Sequence, residues 1–204
     1  MEDKTIKKNR DLIIQQLLKT KRPGVSDLLD YMDDCGFYEA PCSSQYHLCE
    51  KGGLAQHSIY VLAAAIRVRH ALAPEIPEES IIICSLLHDL GKCGQFGKPG
   101  YIPNMLKPRA TKANPDPEPV QSDKKPYMSN PDLMQVDHEI RSVQIIGQHM
   151  ILTEDENWAI LMHNGLYGSF RYQIPGKETA LYLILHFADM WASRVVEKEV
   201  ETDE

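Results

Sequence analysis

The chain has 204 residues, of which 43% are hydrophobic and 25% charged, a composition ordinary for one globular domain. No apolar run approaches the roughly 20 residues of a membrane-spanning helix, and the N-terminal MEDKTIKKNR lacks the apolar core of a secretion signal, so a cytoplasmic protein without a membrane partner is expected. A net charge of −7 argues against a basic surface that coats nucleic acid, although a local cluster could still hold a nucleotide or a nucleic-acid end.

The first forty residues are predicted to be helical. Residues 5–20 and 26–35 have the spacing of two amphipathic helices, with Ser26 as the predicted N-cap of the second. Residues 1–39 are therefore expected to pack as N-terminal helices on a main domain of residues 40–204.

Two longer helices follow in the sequence. Residues 53–72 are rich in Ala and Leu and are closed by Pro74. Residues 77–90 begin with Pro77 and two glutamates, which suit the first turn of a helix, and continue as an apolar run.

The C-terminal part is also predicted to be helical. Thr153 and Glu156 form a capping-box pattern that opens a helix to about residue 163. A final helix, about 178–198, runs into an acidic tail. Strand signals are weak throughout, so the predicted fold is an all-α bundle.

Residues 94–136 are the exception, because they contain eight of the thirteen prolines. Proline at this density excludes a helix, and so long a loop in a compact domain is commonly a lid over a site. Its aromatic and basic residues favour a lid over a flexible insertion without a role. They are Tyr101, Lys107, Arg109, Lys124, Lys125 and Tyr127.

Cysteines do little to identify the function. The chain has five, an odd number for a disulfide framework, and none forms a CxxC pair. We expect reduced cysteines that mainly fill the core, and no structural zinc knuckle.

Histidines and acids fall at the ends of predicted helices. His57 lies one turn into its helix, and the adjacent His88 and Asp89 end the next one. His138 lies early in the segment DHEIRSVQIIGQH, and His163 ends the helix that the capping box opens.

Asp189 lies within an apolar helix, where a buried carboxylate is costly without a cation or strong donors. Imidazole and carboxylate donors together suit one or two ions of Mn, Fe, Zn, Co or Ni. A carboxylate can bridge two such ions, and Lys92, one turn beyond Asp89, is placed to meet an anionic substrate.

The order GGLAQHS, LLHDLGK and FADMWASR resembles the HD superfamily of metal-dependent phosphohydrolases over residues 40–196. It is most similar to the HD domain of bacterial 3′→5′ exoribonucleases. Pro41 and His47 match a proline-led segment and a histidine ahead of the first metal ligand in that family. The resemblance implies an HD-domain helical bundle with the metal ligands His57, His88, Asp89, His138, His163 and Asp189.

The sequence also departs from that family. Asn164 replaces the second histidine of its His-His-Gly segment, and residues 1–39 are predicted to be helices instead of the RNA-binding OB-fold. The substrate is therefore expected to be a phosphorylated small molecule, a nucleotide or a nucleic-acid end, with no protein partner predicted.

The expected activity is hydrolysis of a phosphate ester or phosphodiester by a metal-activated water, with Asp89 and Lys92 as catalytic residues. Lys92, His47 and Arg171 are the predicted substrate contacts. Two alternatives remain open: a di-iron oxygenase of the same superfamily, and a non-catalytic nucleotide-binding module.

Overall fold

The computed structural model describes residues 1–112 and 114–198. Within them, the α-helices are α1 (Asp3–Lys19), α2 (Val25–Asp34), α3 (Gly53–Leu72), α4 (Glu78–Leu87), α5 (His138–His149), α6 (Glu154–Met162) and α7 (Ala180–Trp191). The predominantly helical character predicted from the sequence is confirmed. None of the helices in this part of the chain combines the length and apolar character needed to cross a membrane.

Helix α4 forms the centre of the bundle. Every residue from Ser80 to Leu87 is buried, as expected for a helix that is apolar on all sides. Helix α3 packs against both α4 and α7, and α6 packs against α5 and α7. Because α4 is enclosed in this way, the His-Asp pair that follows it begins inside the protein.

The two N-terminal helices share this core. Ile13 and Leu17 of α1 and Leu28 and Met32 of α2 are fully buried in the same apolar cluster as the residues of α4. Helix α1 contacts both α3 and α4. Residues 1–39 therefore pack directly on the elements that carry the site.

The prediction that Ser26 caps α2 was wrong, because Gly24 is the N-cap residue. Gly24 has a φ of +87°, and a Cβ atom there would lie 1.8 Å from the carbonyl oxygen of His149. The close approach of the end of α5 thus requires glycine at this cap.

Other helix ends follow the sequence more closely. Helix α4 stops at Leu87, earlier than expected, and the chain continues into a 3₁₀ turn at Leu90–Cys93. The capping box at α6 is confirmed, since the Glu156 N–H donates to the Thr153 hydroxyl and the Thr153 N–H donates to the Glu156 carboxylate. Helix α7 continues as a π-helical turn at Ala192–Val196, and the predicted acidic tail lies mostly outside the described residues.

The proline-rich segment 94–136 contains strands that were not predicted. They are β1 (Gly94–Gln95), β2 (Lys98–Pro99), β3 (Tyr101–Pro103), β4 (Met105–Leu106), β5 (Val120–Gln121) and β6 (Tyr127–Ser129). They pair antiparallel as β1–β2, β3–β6 and β4–β5. Strands of two or three residues are too short to show alternating hydrophobicity, so they could not be predicted from the sequence pattern.

Candidate metal centre

The residues predicted to bind metal lie where several helix ends meet. His57 lies in the second turn of α3, His88 caps the C-terminus of α4, and Asp89 follows it directly. His138 is the first residue of α5, His163 caps the C-terminus of α6, and Asp189 lies in the last turn of α7.

Gly91 allows α5 to approach the His-Asp pair. A Cβ atom on Gly91 would lie 2.2 Å from the carbonyl oxygen of His138, so any side chain there would push α5 away. The Gly91 N–H donates to the hydroxyl of Ser142 at 2.8 Å, which fixes the two elements together. The glycine after His88-Asp89-Leu90 is thus what brings His138 to Asp89.

The carboxylate of Asp89 lies between two pairs of imidazoles. Its Oδ2 atom is 3.5 Å from Nε2 of His57 and 3.4 Å from Nε2 of His88. Its Oδ1 atom is 3.1 Å from Nε2 of His138 and 3.5 Å from Nε2 of His163. Each carboxylate oxygen therefore faces a different pair of nitrogen donors, as in a carboxylate that bridges two ions.

Asp189 adds a second carboxylate to the first pair. Its Oδ1 atom lies 3.2 Å from Nε2 of His57, and its side chain is 19% exposed. The described residues contain three overlapping groups whose donor atoms are close enough to hold a metal ion. These are His57–His88–Asp189, His88–Asp89–His163 and Cys42–His47–His57.

Three of the histidines are held so that Nε2 points into the cluster. In each, the Nδ1 atom meets an oxygen on the opposite side, which fixes both the ring orientation and the nitrogen that is free to bind a metal. The pairs are His57 with Oε1 of Glu197 at 2.8 Å, His88 with the Ser85 carbonyl at 3.0 Å, and His163 with the Ile160 carbonyl at 2.8 Å.

These residues fit a divalent transition metal. Within the described residues, three buried atoms of the cluster have no hydrogen-bond partner: Nε2 of His57, Nε2 of His88 and Oδ1 of Asp89. Leaving buried polar atoms unpaired is costly. Donors about 2.1 Å from one ion lie about 3.0–3.4 Å apart at octahedral or tetrahedral angles. The contacts between Asp89 and the four imidazoles, at 3.1–3.5 Å, are close to that spacing.

Asp89 and Lys92 form an ion pair in the cluster, and each shifts the pKa of the other. Burial would raise the pKa of Asp89, but the Lys92 ammonium and the adjacent imidazoles hold that pKa well below its ordinary value. Burial would lower the pKa of Lys92, but Asp89, whose Oδ2 accepts a 2.6 Å hydrogen bond from Nζ, raises it. Burial lowers the pKa of His88, which favours the neutral imidazole that binds metals.

Two of the predicted substrate contacts, His47 and Arg171, differ in where they lie relative to the cluster. His47 stacks on His57 with ring centroids 5.3 Å apart and lies beside the cluster. Arg171 is exposed, with its guanidinium over the ring of Tyr172 at 4.7 Å. Among the described residues, no hydrogen bond or ion pair joins Arg171 to the metal-binding candidates.

A cavity of about 220 Å³ adjoins the cluster at Lys92 and His138. Tyr101 and Asn130, from the proline-rich segment, line it together with Arg141 of α5. The Arg141 guanidinium is held in place, since it donates to the Gln95 side chain at 3.0 Å and to the Met134 carbonyl at 2.8 Å. The segment 94–136 thus forms one wall beside the candidate metal centre.

Sequence reasoning missed two carboxylates in contact with the histidines. Glu197 is fully buried against His57, and Glu139 lies 3.3 Å from Nδ1 of His138. Glu197 follows an irregular turn within an acidic stretch, where no pattern distinguishes it from its neighbours. Asn164, the departure from the exoribonuclease pattern, places its side-chain nitrogen 3.4 Å from Nε2 of His138.

No protein-family model matches the chain, and no curated protein or solved structure matches it either. The likeness to the HD superfamily therefore remains a hypothesis, carried by the motifs and by the contacts described above.

Proposed function

We propose that the protein is a metal-dependent phosphohydrolase of the HD type. Its substrate would be a phosphate ester or phosphodiester in a nucleotide or at an oligonucleotide end. The observation that carries the proposal is the Asp89 carboxylate between two pairs of imidazoles, each oxygen facing one pair. The proposed metal ligands are His57, His88, Asp89, His138, His163 and Asp189.

The donor set supports a transition metal over magnesium or calcium, which prefer nearly all-oxygen sites. Mn, Fe, Zn, Co and Ni all suit mixed imidazole and carboxylate donors. When bound, such a metal supplies Lewis acidity and lowers the pKa of a coordinated water, which makes hydrolysis of a phosphate ester feasible near neutral pH.

Lys92 is proposed to bind the substrate phosphate. Its side chain is 15% exposed, its ammonium hydrogen bonds to Asp89, and the residue lines the adjoining cavity. A positive charge held in a largely desolvated site offsets the negative charge of a phosphoryl group more strongly than it would in water.

The proposal is tested by assaying purified protein, loaded in turn with each candidate metal, on a phosphate monoester, a diester and nucleotides. We expect release of the leaving group, and a decrease in kcat of about 10³-fold or more in Asp89→Asn. Asp27→Asn, at an exposed site on α2, is the matched control and should retain full activity.

Two outcomes would overturn the proposal. Oxygen-dependent turnover by the iron-loaded protein, without release of the leaving group, would indicate the oxygenase alternative. Nucleotide binding without turnover by any metal-loaded form would indicate a binding module.

A further inference from the structure

Two thiols outside the candidate metal centre face each other. Sγ of Cys35, at the C-terminal cap of α2, lies 3.0 Å from Sγ of Cys93, the last residue of the 3₁₀ turn. A disulfide bond is about 2.05 Å long, so a movement of about 1 Å brings the two sulfurs to bonding distance. Both cysteines are free thiols in the structure.

The two thiols differ in access. Cys93 is only 3% exposed, whereas Cys35 is partly exposed. Cys35 also lines an open cavity of about 400 Å³ together with Tyr31, Asp34 and Gly36. A small oxidant can therefore reach Cys35 first, while Cys93 stays protected behind it.

The hydrogen bond between the two thiols also makes them differ in reactivity. It lowers the pKa of Cys35 and raises that of Cys93. Because the thiolate is the reactive form, the thiol with the lowered pKa, Cys35, is the better nucleophile of the two.

We propose that Cys35 and Cys93 form a redox-sensitive modification site that closes to a disulfide when a peroxide oxidises Cys35. The Cys35 thiolate attacks one peroxide oxygen, the O–O bond breaks, and hydroxide leaves and is protonated to water. The Cys93 sulfur then attacks the resulting sulfenic acid, an S–S bond forms, the S–O bond breaks, and a second water carries away the Cys93 proton. Two thiols lose two electrons in total, and one peroxide gains them.

This disulfide would tie α2 to the turn that carries Lys92. Cys93 directly follows Lys92, and the two cysteines are 58 residues apart in the chain. Closing a loop of that length restricts the unfolded chain, so the oxidised protein should melt about 5 °C or more above the reduced protein.

The test is to titrate the full-length protein with hydrogen peroxide, block remaining thiols, and map its peptides by mass spectrometry without reduction. We expect a linked pair of Cys35 and Cys93 peptides, two hydrogens lighter than the sum of the free thiol peptides. A rise in melting temperature should accompany it and reverse on adding dithiothreitol. Cys35→Ser should abolish the rise, and Cys49→Ser, which removes another partly exposed thiol, should leave it intact.

Two results would overturn the proposal. One is oxidation of Cys35 to sulfinic or sulfonic acid while Cys93 remains available for alkylation. The other is complete alkylation of both thiols after peroxide treatment, with an unchanged melting temperature. Because both results are measured on the unmodified protein, the test does not depend on the folding of any variant.

Discussion

Nδ1 of His57 lies 2.8 Å from Oε1 of Glu197, and both side chains are fully buried. The contact joins α3 to the end of the π-helical turn after α7, and it directs Nε2 of His57 toward Asp89 and Asp189. In metal centres, a carboxylate on the far nitrogen of a histidine fixes the ring and increases its basicity as a ligand. Glu197 is therefore assigned here as a positioning residue.

Glu197→Gln should weaken metal binding by about 10- to 100-fold, because the amide keeps the size of the side chain but loses the charge that orients His57. Competition with a chelating dye measures this change directly. Glu178→Gln, at an exposed position ahead of α7, is the control and should match the unmodified protein. Equal affinity in the Glu197 and Glu178 variants would show that the contact is only structural.

Lys92→Met should lower kcat/KM for phosphate esters by about 10²- to 10³-fold while the protein keeps its bound metal. The methionine fills the same space but offers no charge to the phosphoryl group. Steady-state kinetics paired with metal analysis of the same sample separate these effects. Lys8→Met, exposed on α1, should change neither quantity. Loss of metal from the Lys92 variant would indicate a structural role for the ammonium instead.

Two arginine ion pairs should differ in their effect on stability. Arg22 donates to Glu156, which is fully buried, whereas Arg10 and Asp33 are each 40% exposed. Arg22→Ala should lower the free energy of unfolding by about 3 kcal/mol or more, because it leaves a buried carboxylate without its partner. Arg10→Ala should cost less than about 1 kcal/mol. Urea denaturation of both variants measures the two losses in free energy of unfolding, and equal losses would refute this account.

Glu156 should also make stability depend on acid pH. Burial would raise its pKa, but hydrogen bonds from Arg22, the Thr153 N–H and Ser80 lower it. An unfolded glutamate titrates near pH 4.3, roughly, so the unfolded chain binds more protons between that value and the lower folded pKa. The stabilisation is therefore complete above about pH 4.3 and is lost as the pH falls through the folded pKa.

Urea denaturation from about pH 6 to about pH 3 tests this dependence. The unmodified protein should lose more stability on acidification than Glu156→Gln, which has no carboxylate to protonate. A constant difference between the two proteins across this range would contradict the assignment.

Elements with strong local signals were predictable from the sequence. The apolar run ending in His88-Asp89 and the Thr153 capping box both depend on neighbouring residues, and they lie where expected. The choice of Gly24 over Ser26 as a helix cap was not predictable, because it depends on the distant carbonyl of His149. The short strands between residues 94 and 129 likewise depend on pairing and not on a repeating pattern.

The candidate site likewise contains residues that could be predicted from the sequence and residues that could not. Residue types and helix positions led to His57, His88, Asp89 and Asp189 from the sequence. Tertiary contacts alone reveal Glu197 behind His57. The Cys35–Cys93 contact is equally hidden, since it joins two helix ends that are far apart in the chain.

The most direct test of the proposed metal centre is elemental analysis of protein purified without added metal. We expect about one or two equivalents of a transition metal per chain in the unmodified protein. His88→Ala and Asp89→Ala should lose most of this metal, whereas His70→Ala, at an exposed position on α3, should retain it. Two results would contradict the account. In one, the unmodified protein neither contains nor takes up a transition metal. In the other, the His88→Ala and Asp89→Ala proteins keep their full metal content.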